Sequence, residues 1–169
     1  MSRPPSIARA GPADAGTIAR LIEPAFARHI APVLGSVGRV AFRLYVTEKA
    51  LRHRLGEGAT GFRATFDEAL VGYAELCGRD GRIDGIDHLA LLFTAVDLQG
   101  RGIARHLLAA VQEHLATACP PVTDLTVNAS AYAVPAYHRL GFRPTGEAGR
   151  LQHIVATPMR LELGRALAD

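Results

Sequence analysis

Two periods of hydrophobic and polar positions run along the chain, one near two residues and one near three and a half. Residues 7–10 form a short strand candidate, closed by the breaker pair Gly11-Pro12. Asp14 stands where it can cap a helix whose apolar positions Ile18, Leu21, Ile22 and Phe26 are spaced by threes and fours. Pro24 interrupts that helix or shifts its end. Ala31-Pro32 and Gly35-Ser36 mark a loop, and residues 37–55 read as a second helix with Val40, Leu44 and Leu51 in phase. Gly56 and Gly58 end it. Residues 60–66 and 70–76 then read as a hairpin about Asp67-Glu68. A polar turn is expected at 79–85. Residues 88–96 are almost entirely apolar, as in a strand covered on both faces. Residues 101–118 give the strongest helix, with Ile103, Leu107, Val111 and Leu115 stepping by four before Pro120-Pro121 stops it. Residues 124–128 are another buried strand. A short helix follows over 134–140, with Pro135 in its first turn and Gly141 at its C-terminal cap. The last strands fall at 142–145 and 154–163, where Pro158 points to an edge or a bulge.

The order β-α-α-β-β-β-α-β-α-β-β predicts an α/β fold: a mixed sheet with helices on both faces. Hairpins in the first half argue against an all-parallel doubly wound sheet. The 169 residues fit one domain spanning 1–169, with 1–6 as a loose tail. A chain of this length buries roughly two-thirds of its unfolded surface and needs no disulfide or metal to hold it.

Composition narrows the function classes. Apolar residues make up 49% and charged residues 21% of the chain, ordinary for a globular protein. The apolar runs are far shorter than the roughly 18 residues a membrane span requires, and residues 1–5 lack the apolar core of a secretory signal. Two cysteines, Cys77 and Cys119, exclude a disulfide scaffold and a four-cysteine zinc site and suit a reducing cytoplasm. The net charge is +3, and of the 19 basic residues only Lys49 is a lysine. The arginines are scattered without basic runs or an aromatic interleave, so neither nucleic acid nor membrane is expected as a partner. His29, His53, His106, His114, His138 and His153 show no metal-ligand spacing, so no metal is expected.

The most informative segment is the exit of the apolar strand, where Gly100 and Gly102 lead into the strongest helix. Glycines let backbone N–H groups approach a ligand, and free amides at a helix start favour phosphate. Arg101 and Arg105 lie in the first turn, unfavourable against the helix dipole unless an anion sits there. The segment is neither a P-loop nor a dinucleotide fingerprint, which argues against nucleotide hydrolysis and nicotinamide binding.

Gln99-Gly100-Arg101-Gly102-Ile103-Ala104 resembles the Q/R-x-x-G-x-G/A signature of the GNAT superfamily of acyl-CoA N-acyltransferases. Leu125-Thr126-Val127-Asn128-Ala129-Ser130, then Tyr132-Ala133-Val134-Pro135-Ala136-Tyr137 and Leu140-Gly141-Phe142, resemble the strand, short helix and Y-x-x-x-G-F that follow it in many members. Pro158-Met159-Arg160-Leu161-Glu162-Leu163 is similar to the family's last strand. The resemblance covers residues 7–163. It implies a mostly antiparallel sheet of six to seven strands flanked by about four helices, and acetyl-CoA as cosubstrate. Its diphosphate would be bound by Gln99, Gly100, Arg101, Gly102, Ile103, Ala104 and Arg105, with Leu98 at the edge. Its pantetheine arm would pair with the strand at Leu92, Phe93 and Thr94. Many members place a CoA-contacting asparagine where Ser130 stands; here the asparagine is Asn128.

The resemblance also assigns chemistry. Tyr137 matches the family tyrosine near the thioester sulfur, a proton donor to the departing thiolate. His88 falls where several members carry a glutamate base; Asp87, Glu75 and water stay open as alternatives. The acceptor would enter between the first two helices and the loop joining the last strands, roughly residues 26–39 and 145–152. That makes Phe26, His29, Tyr45, Tyr73 and His153 candidate lining residues. The region has few acids, which disfavours a polycation and leaves a small-molecule amine, an amino acid, a peptide N-terminus or an anionic acceptor. The expected function is cytoplasmic N-acetyl transfer to a primary amine by direct attack. The alternative is a non-catalytic acyl-CoA-binding or regulatory module on the same fold. A homodimer is compatible with the family.

Overall fold

The computed structural model describes residues 3–77, 85–151 and 154–164, without the Leu151 side chain. His153 and most of the expected 79–85 turn lie outside the described residues. The antiparallel ribbon β1 (Ser6–Ala10), β2 (Thr60–Phe66), β3 (Ala69–Leu76) and β4 (Ile86–Thr94) forms one half of the sheet. β4 then pairs in parallel with β5 (Asp124–Ala129). Beyond β5, in antiparallel order, come β8 (Ile154–Glu162) and, on β8, the short β6 (Arg143–Pro144) and β7 (Gly149–Leu151). The β2–β3 hairpin is the one the sequence predicts: Asp67 and Glu68 both have positive φ, 45° and 68°, as a type I′ turn requires.

Helices cover both faces. α4 (Ile103–Ala116) and α5 (Val134–Arg139) lie over one, with a core of Val71, Leu89, Leu107, Val111, Leu125, Tyr137 and Phe142. α4 rides close on β3 because Gly72 has no side chain; a Cβ there would stand 2.7 Å from Ile103 Cγ2. α1 (Ala15–Ala25), α2 (Ser36–Tyr45) and α3 (Glu48–Gly56) cover the other face, where Ile18, Ile22, Phe26, Leu51, Tyr73 and Leu91 pack together. No described helix is long and apolar enough to cross a membrane.

The architecture is the expected α/β mixed sheet, with several local differences. The helix expected over 37–55 is two helices, because Thr47 ends one and caps the next, accepting from Ala50 N at 3.2 Å. This break turns the Val40–Leu44 stripe outward, with Val37, Val40 and Leu44 57–63% exposed. α2 is held instead by Gly38 and Phe42, the latter stacked on Phe26 with centroids 4.6 Å apart. Asp14 does not cap α1 with its side chain; its carboxylate accepts from Gly11 N at 2.8 Å. Past Pro24 and Ala25 the helix widens into a π-helical turn, Phe26–Ile30. At the N-terminus, Pro5 is buried and pairing starts at Ser6, so the tail is shorter than expected. Finally, β8 is not an edge strand. Pro158 pairs with Asn128 of β5 and accepts from Thr145 N at 2.9 Å, but it has no N–H to return that bond, and the β6 ladder ends there.

Candidate active site

β4 pairs with β5 only at Ile86↔Asp124, Asp87↔Leu125 and His88↔Thr126. From Leu89 to Thr94 its β5-facing edge has no strand partner, so the two strands fork above His88 and Thr126. Just above the fork the β3 register slips: Leu76 faces Leu89 and Glu75 faces Leu91, leaving Ala90 as a bulge. The slip exchanges the faces of the strand. Leu89 packs in the α4 core, whereas Leu91 and Phe93 pack with α1–α3. The predicted arm-binding residues Leu92, Phe93 and Thr94 all lie on this unpaired stretch, beyond the bulge.

At the top of β4 the chain makes a helical turn, Val96–Leu98, and enters the Gly-rich loop. Gly100 and Gly102 have φ of 78° and 80°, a region costly for other residues. A Cβ on either would meet nothing within 4 Å, so backbone conformation rather than crowding demands glycine, and the space above is open. Arg105 and His106 both donate to Gly102 O. The amides of Gly100, Gly102, Ile103 and Ala104 make no backbone hydrogen bond among the described residues. These N–H groups lie at the positive end of α4, an arrangement chemically suited to an anion, with Arg101 and Arg105 exposed beside it.

On the β5 side, Tyr137 of α5 is 7% exposed and packs edge-to-face on Phe142 at 5.2 Å. Burial pushes its phenol well above the ordinary value, so it keeps its proton throughout the neutral range. Ser130 closes the turn into α5, its carbonyl accepting from Ala133 N and Val134 N. Asn128 is exposed and alternates with the core residues Val127 and Ala129, which places it on the sheet face away from α4.

His88 sits at the fork. Its Nδ1 lies 2.9 Å from Thr126 Oγ1, and that hydroxyl donates to Asp87 O at 3.2 Å. With the hydroxyl's one proton directed to Asp87 O, Nδ1 donates to Thr126 and the lone pair falls on Nε2. Burial, against the pull of Asp87, holds the imidazole below its ordinary value and therefore neutral at pH 7. Strand alternation sets His88 opposite to Leu89, on the α1–α3 face. Glu75, the other carboxylate considered, is 1% exposed and saturated. It accepts from Arg54 Nε at 2.6 Å, Arg54 NH2 at 3.3 Å and Tyr73 OH at 2.6 Å. Asp87 is buried and accepts from the His88 amide.

The acceptor-side predictions divide. Phe26 and Tyr73 are fully buried, so both belong to the core rather than to a pocket wall. Tyr45 packs under the Arg54 guanidinium at 4.0 Å. His29, in the π-helical turn, stacks on Tyr132. The two segments expected to frame the acceptor do meet: a notch of about 210 Å³ is lined by Val33, Val37, Gly38, Arg150 and Val155. Sequence reasoning missed Thr126, whose hydroxyl pairs with His88 Nδ1, and the Arg54–Glu75–Tyr73 network. Neither leaves a local signal, since the partners lie on different elements.

A family model, the acetyltransferase (GNAT) domain, matches residues 30–163. The chain belongs to the GNAT acetyltransferase family. Solved structures agree on the fold of this GNAT chain. It is similar to a GCN5-related N-acetyltransferase from Rhodopseudomonas palustris, at 22% identity and TM-score 0.75, over 96% of this chain and 98% of that one. It is similar to PaiA N-acetyltransferase from Thermoplasma acidophilum, solved with coenzyme A, at 15% identity and TM-score 0.76, over 96% and 99%. The ribosomal-protein-S18-alanine N-acetyltransferase of Escherichia coli follows at 18% identity and TM-score 0.65, over 98% and 99%. No curated protein matches at a significant level. Among the described residues no cluster of His, Cys, Asp and Glu could hold a metal ion.

Proposed function

We propose that this chain transfers an acetyl group from acetyl-CoA to a primary amine of a small molecule or peptide, by direct attack. The observation that carries the reading is the fork between β4 and β5, which opens toward the free amides at the start of α4. The residues fit an acyl-CoA. The cradle at Gly100–Ala104 suits a diphosphate, and the bare edge of β4 suits an amide-bearing arm laid along it as an added strand. Bound there, acetyl-CoA supplies the activated acyl group as a thioester.

The chain's own groups supply the rest. To a backbone N–H of β4 beside the Ala90 bulge we assign the stabilisation of negative charge developing on the acyl oxygen. His88 Nε2 takes a proton from the acceptor, since an amine with a pKa of about 10 arrives mostly as ammonium. Tyr137 donates a hydrogen bond, and then its proton, to the leaving thiolate, and regains a proton from the second one that the attacking nitrogen loses as the amide forms. The amine enters by the notch at Val33, Val37 and Val155, and Arg150 at its rim favours an acceptor that also carries a negative group. We extend the reading to a cytoplasmic setting, in keeping with the free thiols of Cys77 and Cys119.

Calorimetry with acetyl-CoA, followed by thiol release from acetyl-CoA over a panel of amines, tests the proposal. Binding with amine-dependent thiol release supports it. Binding without release under any amine would turn the reading toward a non-catalytic acyl-CoA module, and no binding would end it.

A further inference from the structure

Away from the fork, on the β3 side of β4, a groove of about 510 Å³ lies between α1 and the top of the sheet. One wall is a single side of α1: Thr17, Arg20, Leu21, Pro24 and, in the π-helical turn that continues it, Arg28. Spacings of three and four bring these residues onto one face. The opposite face of α1 is anchored by Ile18 and Ile22, both fully buried, so the wall is fixed to the core. The other wall is Ala95-Val96-Asp97, the turn at the exit of β4, which is tied to β3 by Ala95 N donating to Val71 O at 2.9 Å.

The charges in this groove are unmatched. Arg20 donates from NH2 to Thr17 Oγ1 at 3.1 Å, which orients its guanidinium and leaves its other N–H groups open. Among the described residues neither Arg20 nor Arg28 forms an ion pair. The one acid, Asp97, stands across the groove, beyond ion-pair distance of both. Arginines on the neighbouring helices do find acids: Arg43 meets Glu23 at 3.2 Å and Arg52 meets Glu48 at 2.6 Å. Two uncompensated cations that share a concave surface draw an anion to it.

We propose that this groove is a second ligand site, which takes a free acidic α-amino acid. Such a molecule carries two carboxylates and one ammonium, the complement of two guanidinium groups and one carboxylate. Guanidinium forks hold carboxylates through paired hydrogen bonds. Asp97 takes the ammonium, and Leu21, Pro24 and Val96 give the methylenes an apolar bed. This ligand is not the acetyl acceptor. Asp97 lies past the end of β4 at Thr94, and His88 stands six residues back along that strand, about 20 Å away. The ligand rests instead on the turn that leads into the Gly-rich loop.

Calorimetry at low salt tests this, with L-glutamate and glutarate as probes; glutarate has both carboxylates and no ammonium. Wild type is expected to bind L-glutamate with a Kd of about 1 mM, on the scale of a few charge-assisted hydrogen bonds. Arg20→Gln and Arg28→Gln change exposed side chains, and each should weaken L-glutamate about tenfold. Wild type should favour L-glutamate over glutarate about fivefold, and Asp97→Asn should erase that preference. Gly102→Glu, which sets an anion above the Gly-rich loop, should leave L-glutamate affinity within about twofold. No binding of L-glutamate to wild type would overturn the proposal, as would an unchanged affinity in both arginine variants. Loss of binding in Gly102→Glu alone would place the anion at the start of α4 and overturn it too. Equal affinity of wild type for the two probes would remove the ammonium contact, and with it the amino acid.

Discussion

The two faces of the sheet are built by different means. On the α4 face the proposed cofactor contacts belong to the backbone. Two glycines in left-handed conformation, four amides without a backbone partner among the described residues and the bare edge of β4 make up the proposed cradle, in which side chains matter mostly by their absence. On the α1–α3 face the structure is held by side chains from distant elements: Arg54 of α3 clamps Glu75 of β3, Tyr73 joins them, and Phe42 pins α2 onto Phe26. A backbone site is specified locally and tolerates change around it. A side-chain site depends on partners far apart in sequence and is free to vary with the acceptor.

Substitutions that split binding from stability sharpen this contrast. The largest effect is expected at Arg54→Met, which leaves the Glu75 carboxylate buried with only Tyr73 to satisfy it. Breaking a buried pair from one side costs about 3–5 kcal/mol, so urea unfolding should show a loss of at least ~3 kcal/mol. Acetyl-CoA affinity of the folded fraction should stay within about twofold. Gly102→Glu is the reverse case. Its stability cost is the ~1–2 kcal/mol of a left-handed non-glycine residue, but it sets an anion in the open space above the cradle. Acetyl-CoA binding, read by calorimetry, should weaken at least about 100-fold, equivalent to ~2.7 kcal/mol. Equal loss of binding in both variants would erase the distinction between the faces.

The same contrast explains what could be read from the sequence. The Gly-rich turn, its helix and the Tyr137–Phe142 segment were legible because each is one short stretch whose glycines and apolar period have a single local meaning. The hairpin at Asp67-Glu68 was legible for the same reason. The fork was not, since pairing that stops after His88 leaves no mark in an apolar strand. The α2–α3 break was missed because Val40 and Leu44 keep helical phase with Leu51 while pointing the other way; only Thr47-Glu48 announces a new helix start. Phe26 and Tyr73 were candidates for a pocket wall because an aromatic residue reads alike in a core and in a cleft.

Within the site, Tyr137 should separate binding from turnover. Tyr137→Phe keeps the edge-to-face packing on Phe142 and removes only the hydroxyl. Its kcat is expected to fall about 30-fold, ~2 kcal/mol of barrier, with acetyl-CoA affinity unchanged. A parallel loss in kcat and affinity would make the tyrosine part of the cradle's support rather than a proton donor.

The smallest effect lies at His88, and pH is the way to see it. A base must be unprotonated, and burial holds this imidazole below 6.5. Activity that depends on His88 should therefore be fully present at pH 7 and above, and fall only as pH drops through a value under 6.5. Stability follows the same sign: a histidine whose pKa is depressed on folding stabilises the native state above its unfolded value, and that contribution fades as acid protonates it. The acceptor amine titrates near pH 10, so its own ionisation adds a separate limb at the alkaline end. His88→Gln should lower kcat/KM about tenfold at pH 7 and flatten the acid limb, because water can carry the proton in its place. Thr126→Val tests the tautomer: without the hydroxyl, Nδ1 is no longer fixed as the donor, and the acid limb should shift while the maximum rate falls less than in His88→Gln. If kcat/KM keeps an unaltered acid limb in His88→Gln, the base lies elsewhere. The saturated Glu75 is then a weak substitute, because Arg54 and Tyr73 already hold both of its oxygens.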